Sequence, residues 1–563
     1  SRGLGDVYKR QVYTLNFDSS LVSSDELNDA LLRVIGLMNA QGVEIKDTLP
    51  LARTSPYAYD TANGSAKTLV KYLVSLKWIN ETNVGDDGLP TTLTGSALYL
   101  KLRSEYGIDE TLPNSTVRTL IGLRYSLASA KMNGSTIFEF ASDVDVSLIS
   151  LIKDGNYAGV QVDTSSVRVY ETDYAAHVLG YTGSIQDWDD YKDKDGYTLA
   201  STVGISGVEN AFEDYLHGNA GKRLVTFDND SGKITGELYS VEPKPGSTVA
   251  LTIDIDFQAQ VEEALKNTVS SMTKSDGIDR GAAVAVVQVG TGDVLALASY
   301  PTYSLSTFRQ DLAELSTDPL QPMWNRATQG KYAPGSVFKI LTTLEYYREN
   351  PSAYDQYAFD CSGSISVDGQ TIHCAGNKHH GQETLKSSFS NSCNSSFANI
   401  SLSLNREKFK QTCDSMLFNQ NLPIAFESGK SSFSLNKNDS NAMAMETGIG
   451  QGKTLVSPLH MALIASAVDH DGILMRPYLV DHIQNDSGVE VSSNKPKTYA
   501  TLMTETEAGL LQQYMRAVVT DGTGRKLSGQ SYEASGKTGT AQVSDTSDQT
   551  NAWFVGYAKK DGY

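Results

Sequence analysis

The stretch YAPGSVFKI, residues 332–340, runs a Pro-Gly turn straight into an apolar helical pattern. Gly335 lets the backbone turn in, and Val337, Phe338, Ile340, Leu341 and Leu344 make a broad apolar surface. The spacing predicts the start of a buried helix. Ser336 then stands three positions before Lys339, and side chains three apart share one helix face at about 5–6 Å between Cβ atoms. A serine hydroxyl is a poor nucleophile until a base takes its proton. A lysine serves as that base when burial and neighbouring cations lower its pKa. A helix N-terminus also favours negative charge developing nearby. Ser-x-x-Lys alone is weak evidence, because it recurs at Ser150, Ser271, Ser434 and Ser492. Chemistry at Ser336 therefore rests on its context in the rest of the chain.

Two further stretches supply that context. Ser392-Cys393-Asn394 follows Ser336 by 56 residues, and Lys537-Thr538-Gly539, the one Lys-Thr-Gly in the chain, follows Ser392 by 145. Ser-x-Asn also recurs at Ser434 and Ser492, so the order and spacing carry the weight. The trio, in that order, is the one used by penicillin-binding proteins and class A β-lactamases around a serine nucleophile.

The sequence resembles the class B penicillin-binding proteins over about residues 140–563. Beyond the trio, the resemblance rests on NRATQGKYAPGSVFK, ASYPTYSLSTF and GIGQGKTLVSPLHMA, and on RVYETDYAAHVLGYTG and GISGVENAFEDYLHG. It implies a C-terminal transpeptidase domain of the serine β-lactamase-like α/β type, with an antiparallel sheet and a helical block. An elongated mixed α/β pedestal would precede it. It also implies a D,D-transpeptidase that cross-links peptidoglycan stem peptides and is stopped by β-lactams at the acyl stage. Ser336 would attack, Lys339 take its proton, Ser392 relay a proton to the leaving D-Ala, and Asn394 bind the substrate amide and Lys339. Lys537 would sustain positive potential, with Thr538, Gly539 and Thr540 as the substrate-binding strand. Backbone N–H groups of Ser336 and Thr540 would form the oxyanion hole. No cofactor is required. The implied setting is the outer face of a bacterial membrane, with a membrane anchor and a membrane glycosyltransferase partner. A β-lactamase or D,D-carboxypeptidase, in which water replaces the acceptor amine, is the alternative enzyme. A β-lactam sensor or a scaffold is the alternative without turnover.

Composition reads as globular and excludes some other classes. The chain has 563 residues, too many for one core, so two to four domains are expected. It carries 66 acidic against 47 basic residues, a net charge of -19, which argues against a nucleic-acid partner. No run of 18 apolar residues appears, so no membrane span is predicted within it.

Residues 1–11 have no apolar period and read as a non-native scar outside the fold, standing where the family's opening segment and anchor would be. Residues 12–245 are expected to form the pedestal or dimerisation-type domain, with a helical insertion over about 24–135. Pro243, Pro245 and Gly246 break the chain there. Residues 246–563 are expected to form the transpeptidase domain, ending before the family's last strand and helix. A strand over STVALTIDI leads to a helix capped by Asp256, then a hairpin about Gly290–Gly292. Helices are expected from Ser336 to about 470, and strands again at ASGKTGTAQV and NAWFVGYA. Cys361 and Cys374 flank a short hairpin-like segment. They fit a disulfide, a zinc site completed by His380 (or His373 or His379), or two free thiols. Cys393 is expected to be a packed small side chain, and His177 a structural hydrogen-bonder.

Overall fold

A computed structural model describes residues 7–61, 63–185, 187–194, 196–197, 201–218, 222–227, 234–241, 244–544 and 547–560. Two compact units divide the chain: Val7–Glu171 with Lys222–Val241, and Thr172–Gly221 with Glu242–Tyr563. This differs from a single cut near 245. The hairpin Lys222–Phe227/Ile234–Val241 goes with the first unit, and the segment Thr172–Gly221 goes with the second.

The first unit is built on a three-stranded antiparallel sheet. The strand Val7–Asp18 is central, flanked by Ile137–Val144 and Val160–Tyr170. Residues 7–11, expected to lie outside the fold, are part of that central strand, running from Val7 opposite Tyr170 to Gln11 opposite Ser166. An apolar period is not needed there, because the ladder bonds come from the backbone.

Four helices lie between the first two strands: Leu27–Ala40, Ala66–Ser75, Gly95–Glu105 and Asn114–Met132. Ser65 and Thr94 cap the second and third with their hydroxyls. Leu15, Phe17, Leu31, Leu69, Leu98, Leu120 and Phe140 form the core. Inside it, Arg118 is 1% exposed and donates to Asp47 and to the carbonyls of Leu51 and Ala52. Asp47 also accepts from Leu49 N and Asn63 Nδ2, and pairs with Arg53. Removing one partner of such a buried pair strands the other charge, at a cost of about 3–5 kcal/mol. Asp47→Ala should therefore lower the unfolding free energy of this unit by about that amount, read as a lower urea midpoint. An unchanged midpoint would exclude the role.

The second unit places the trio. Two antiparallel hairpins, Ala282–Val287/Val294–Tyr300 and Glu533–Ser544/Ser547–Lys559, are both packed by the helix Pro458–Asp469. The helix Ile255–Asp276 covers the first hairpin, and Glu505–Thr520 covers Glu533–Ser544. Asp254 caps Ile255–Asp276, accepting from Asp256 N and Phe257 N, so the cap is Asp254 and not Asp256. Fixing that start two residues earlier lets Asp256 serve as the first-turn acid.

Helices do not run unbroken from Ser336 to 470. Four short strands intervene: Ala358–Cys361 pairs with Gly381–Thr384, and Ser364–Val367 with Gln370–His373. The helix Lys339–Glu349 is buried through Ile340, Leu341 and Leu344, each 1% exposed. Just before it, Phe338 packs among the rings of Phe409, Phe418 and Phe433. No helix among the described residues is long and apolar enough to cross a membrane.

Candidate active site

Ser336 sits in a tight 3-10 turn, Gly335–Phe338, and the α-helix proper begins at Lys339. Gly335 has φ +55, and a Cβ on it would meet the carbonyl oxygen of Thr540 at 2.5 Å. No other residue allows that conformation and that approach together. Gly335 N donates to Gly450 O at 2.8 Å, which ties the turn to the glycine-rich segment 448–452.

Lys339 and Lys537 are both 0% exposed and both point at Ser392. Lys537 Nζ donates to Ser392 Oγ at 2.8 Å and to Thr538 O at 2.9 Å. Lys339 Nζ donates to Ser392 O at 2.9 Å and Asn394 Oδ1 at 2.8 Å, with Ser392 Oγ at 3.5 Å. Ser392 has φ +56, at the turn between the helices Leu385–Ser390 and Asn394–Ser403. Such a non-glycine conformation is sparsely populated and is held where surroundings over-determine it. Here the hydrogen bonds of two buried lysine side chains do so.

Lys339 gives its hydrogen bonds to the Ser392 turn and not to Ser336, although the 3-10 start brings residues three apart into line. Burial lowers Lys339 to about 7, while Cys393 and Cys374 act in the opposite sense. Burial, and next the charge on Lys339, push Lys537 well below its ordinary value. A charge on Lys339 therefore disfavours the charged form of Lys537.

The strand Glu533–Ser544 offers Thr538, Gly539 and Thr540 in sequence. Thr538 is half-buried and its hydroxyl meets that of Thr523 at 2.5 Å. Thr540 is exposed. Lys339, Asn394 and Lys537 thus meet at the Ser392 turn, and Gly335, beside Ser336, lies against Thr540. His177 is buried, donates Nε2–H to Pro322 O at 2.6 Å, and burial lowers it to about 4, so it is a neutral structural group.

A second cluster adjoins the first. Cys361, Cys374, His380 and Cys393 bring three thiols and one imidazole within 4.8 Å of one another. Cys361 Sγ lies 3.6 Å from Cys374 Sγ and 3.4 Å from His380 Nδ1, and Cys374 Sγ lies 3.7 Å from Cys393 Sγ. The cysteines are free thiols, so the disulfide expectation fails; Cys393 is fully buried, as expected of a packed small side chain, and it packs against Cys374. The Cys393 and Ser395 groups hold the Cys374 thiol down to about 3 against the opposing effect of burial. The signal was present in the sequence as C-x12-C-x5-H-x12-C, half hidden because Cys393 sits inside the Ser-x-Asn triplet.

Residues 282–563 match the penicillin-binding protein transpeptidase domain, and residues 8–251 match the penicillin-binding protein dimerisation domain. The chain belongs to the class B penicillin-binding proteins. Among class B relatives, Penicillin-binding protein 3 of Bacillus subtilis (strain 168) is 28% identical over 71% of this chain and 58% of its own length. The peptidoglycan D,D-transpeptidase MrdA of Escherichia coli (strain K12) is 25% identical over 91% of this chain and 84% of its own. The chain spans less than two thirds of several curated relatives it matches, 58% in the Bacillus case.

In fold, this class B chain is similar to the penicillin-binding protein PBP2 of Helicobacter pylori, solved in complex with MreC. The TM-score is 0.67 at 18% identity, over 98% of this chain and 90% of that one. It is also similar to penicillin-binding protein A of M. tuberculosis, solved as an imipenem acyl-enzyme. There the TM-score is 0.56 at 22% identity, over 70% of this chain and 85% of that one.

Proposed function

We propose that the chain is a serine D,D-transpeptidase that cross-links peptidoglycan stem peptides through an acyl-enzyme on Ser336. One observation carries the reading: two fully buried lysines converge on Ser392, and one of them, Lys339, opens the helix that follows the Ser336 turn. Ser336 Oγ attacks the carbonyl of the penultimate D-Ala, and neutral Lys339 takes its proton. Ser392, held by both lysines, passes a proton to the leaving D-Ala amine. Asn394 orients Lys339 and the substrate amide. Thr538 and Thr540 hold the terminal carboxylate on the backbone of Gly539. That carboxylate favours the ammonium form of Lys537, offsetting its burial. The N–H groups of Ser336 and Thr540 face the oxyanion, each worth roughly 3–4 kcal/mol in the transition state. An amine from a neighbouring stem peptide then opens the ester.

β-Lactams, which mimic the D-Ala-D-Ala end, acylate the same serine. The enzyme works at the outer face of a bacterial membrane through an anchor, with a membrane glycosyltransferase as partner. The test is intact-protein mass after incubation with benzylpenicillin. A lasting adduct of one drug mass supports the transpeptidase. An adduct that forms and clears within minutes supports a hydrolase instead. A folded chain that takes no adduct sinks the catalytic reading.

We infer, further, that Cys361, Cys374, His380 and Cys393 hold one structural zinc ion. Zinc–sulfur bonds of about 2.3 Å and zinc–nitrogen bonds of about 2.0–2.1 Å in a tetrahedron give edges of about 3.8 and about 3.6 Å. The observed separations of 3.6, 3.7 and 3.4 Å fit those edges. Four protein ligands leave no open position, so the ion would brace the short strands against the Ser392 turn and take no part in the reaction. Native mass should show one zinc per chain, and Cys374→Ser should lose it with a fall in melting temperature of several degrees. A metal-free wild-type chain of unchanged melting temperature after chelation would exclude the ion.

A further inference from the structure

We propose that Trp553 is a positioning residue for acylation, holding the Ser336 turn against the Lys537 strand through its indole N–H. The proposal rests on the reading of Ser336 as the nucleophile. Trp553 stands on Ser547–Lys559 directly opposite Gly539. A Cβ on Gly539 would come within 3.0 Å of Pro334 O and 3.1 Å of Val337 N. The missing side chain therefore lets the Pro334–Val337 turn lie flat on the strand. Trp553 reaches to the same turn from across the hairpin, and its Nε1–H donates to Ala333 O at 2.9 Å. Its ring also meets the ring of Tyr332 nearly edge-on, at 6.3 Å between centroids.

The four residues before Ser336 are thus fixed at three points. Tyr332 exchanges two backbone bonds with Val456, and Gly335 N bonds Gly450 O. The third point is the Trp553 bond, and it alone of the three comes from the hairpin that carries Lys537 and Thr540. It therefore sets where the Ser336 N–H lies relative to the Thr540 N–H. Those two groups are the oxyanion donors of the proposed reaction, and such donors act only when aimed at the developing charge. A displacement near 1 Å can cost about a hundredfold in rate without changing what the ground state binds.

Two substitutions separate the N–H from the packing. Trp553→Phe keeps a six-membered ring and removes the donor. Trp553→His keeps a five-membered ring with an N–H at the topological position of Nε1, and removes the benzo ring. For each, the saturating acylation rate and the half-saturating concentration with benzylpenicillin are measured beside the melting temperature. Trp553→Phe should slow the saturating rate about tenfold at an unchanged half-saturating concentration. Trp553→His should stay within about twofold of the wild-type rate, even if both variants melt lower alike. Equal losses in the two variants, or no loss in Trp553→Phe, would overturn the proposal while leaving Ser336 as the nucleophile. A wild-type chain that takes no adduct at all would overturn both.

Discussion

Ser336→Ala is expected to abolish covalent capture of benzylpenicillin while leaving the fold in place. Ser336 is half-buried on a short turn, and neither Lys339 nor Lys537 spends a hydrogen bond on its hydroxyl. The turn is instead held through backbone and neighbouring groups, at Gly335, Tyr332 and Ala333. Removing Oγ therefore costs little stability. It removes the only atom in the proposed scheme that can form the ester, and loss of a nucleophile from such a unit typically costs about 10⁴-fold or more. The measurement is intact mass over hours at saturating drug, with melting temperature as the control. An adduct on a folded Ser336→Ala chain would assign the nucleophile elsewhere.

The second large effect concerns Lys339. Replacing it with methionine keeps length and apolar bulk but removes the base, and general-base loss costs about 10²–10⁴-fold. The pH dependence gives a sharper signature. The base works in its neutral form, and burial lowers Lys339 to about 7. Below that pH the ammonium form dominates, so the acylation rate should rise about tenfold per pH unit from the acid side and level off above about 7. Lys339→Met should lose that rising limb and react at a low rate independent of pH. A wild-type rate that instead rises only near the ordinary lysine range would show that Lys339 stays charged in the working enzyme.

Much of the site was legible because its chemistry depends on residue type in a fixed order. Ser336, Lys339, Ser392, Asn394 and Lys537 could be named from three short motifs, and the structure draws Lys339, Asn394 and Lys537 around Ser392. The hairpins at 282–300 and 533–559 were also legible, since alternation and glycine punctuation are local signals. What was not legible depends on neighbours remote in sequence. Cys393 meets Cys374 and Cys361 only because four short strands fold back on the Ser392 turn. Trp553 finds Ala333 across 220 residues. Asp47 and Arg118 form a buried pair 71 residues apart, which no periodicity announces. Residues 7–11 join a sheet through backbone pairing with 166–170, and backbone bonds leave no mark in composition.

The spacing of the two lysines has a consequence for biogenesis. Lys339 finds its partners 53 and 55 residues ahead, but Lys537 must return across 145 residues to reach Ser392. Contacts that close such long loops form late, after local helices and hairpins. As the polypeptide emerges N-terminus first, the Ser336 turn is made long before the strand that aims it. A nascent chain would thus carry its serine through synthesis in an unarmed state. The acylation proposed for Ser336 would become possible only when the hairpin carrying Lys537 docks.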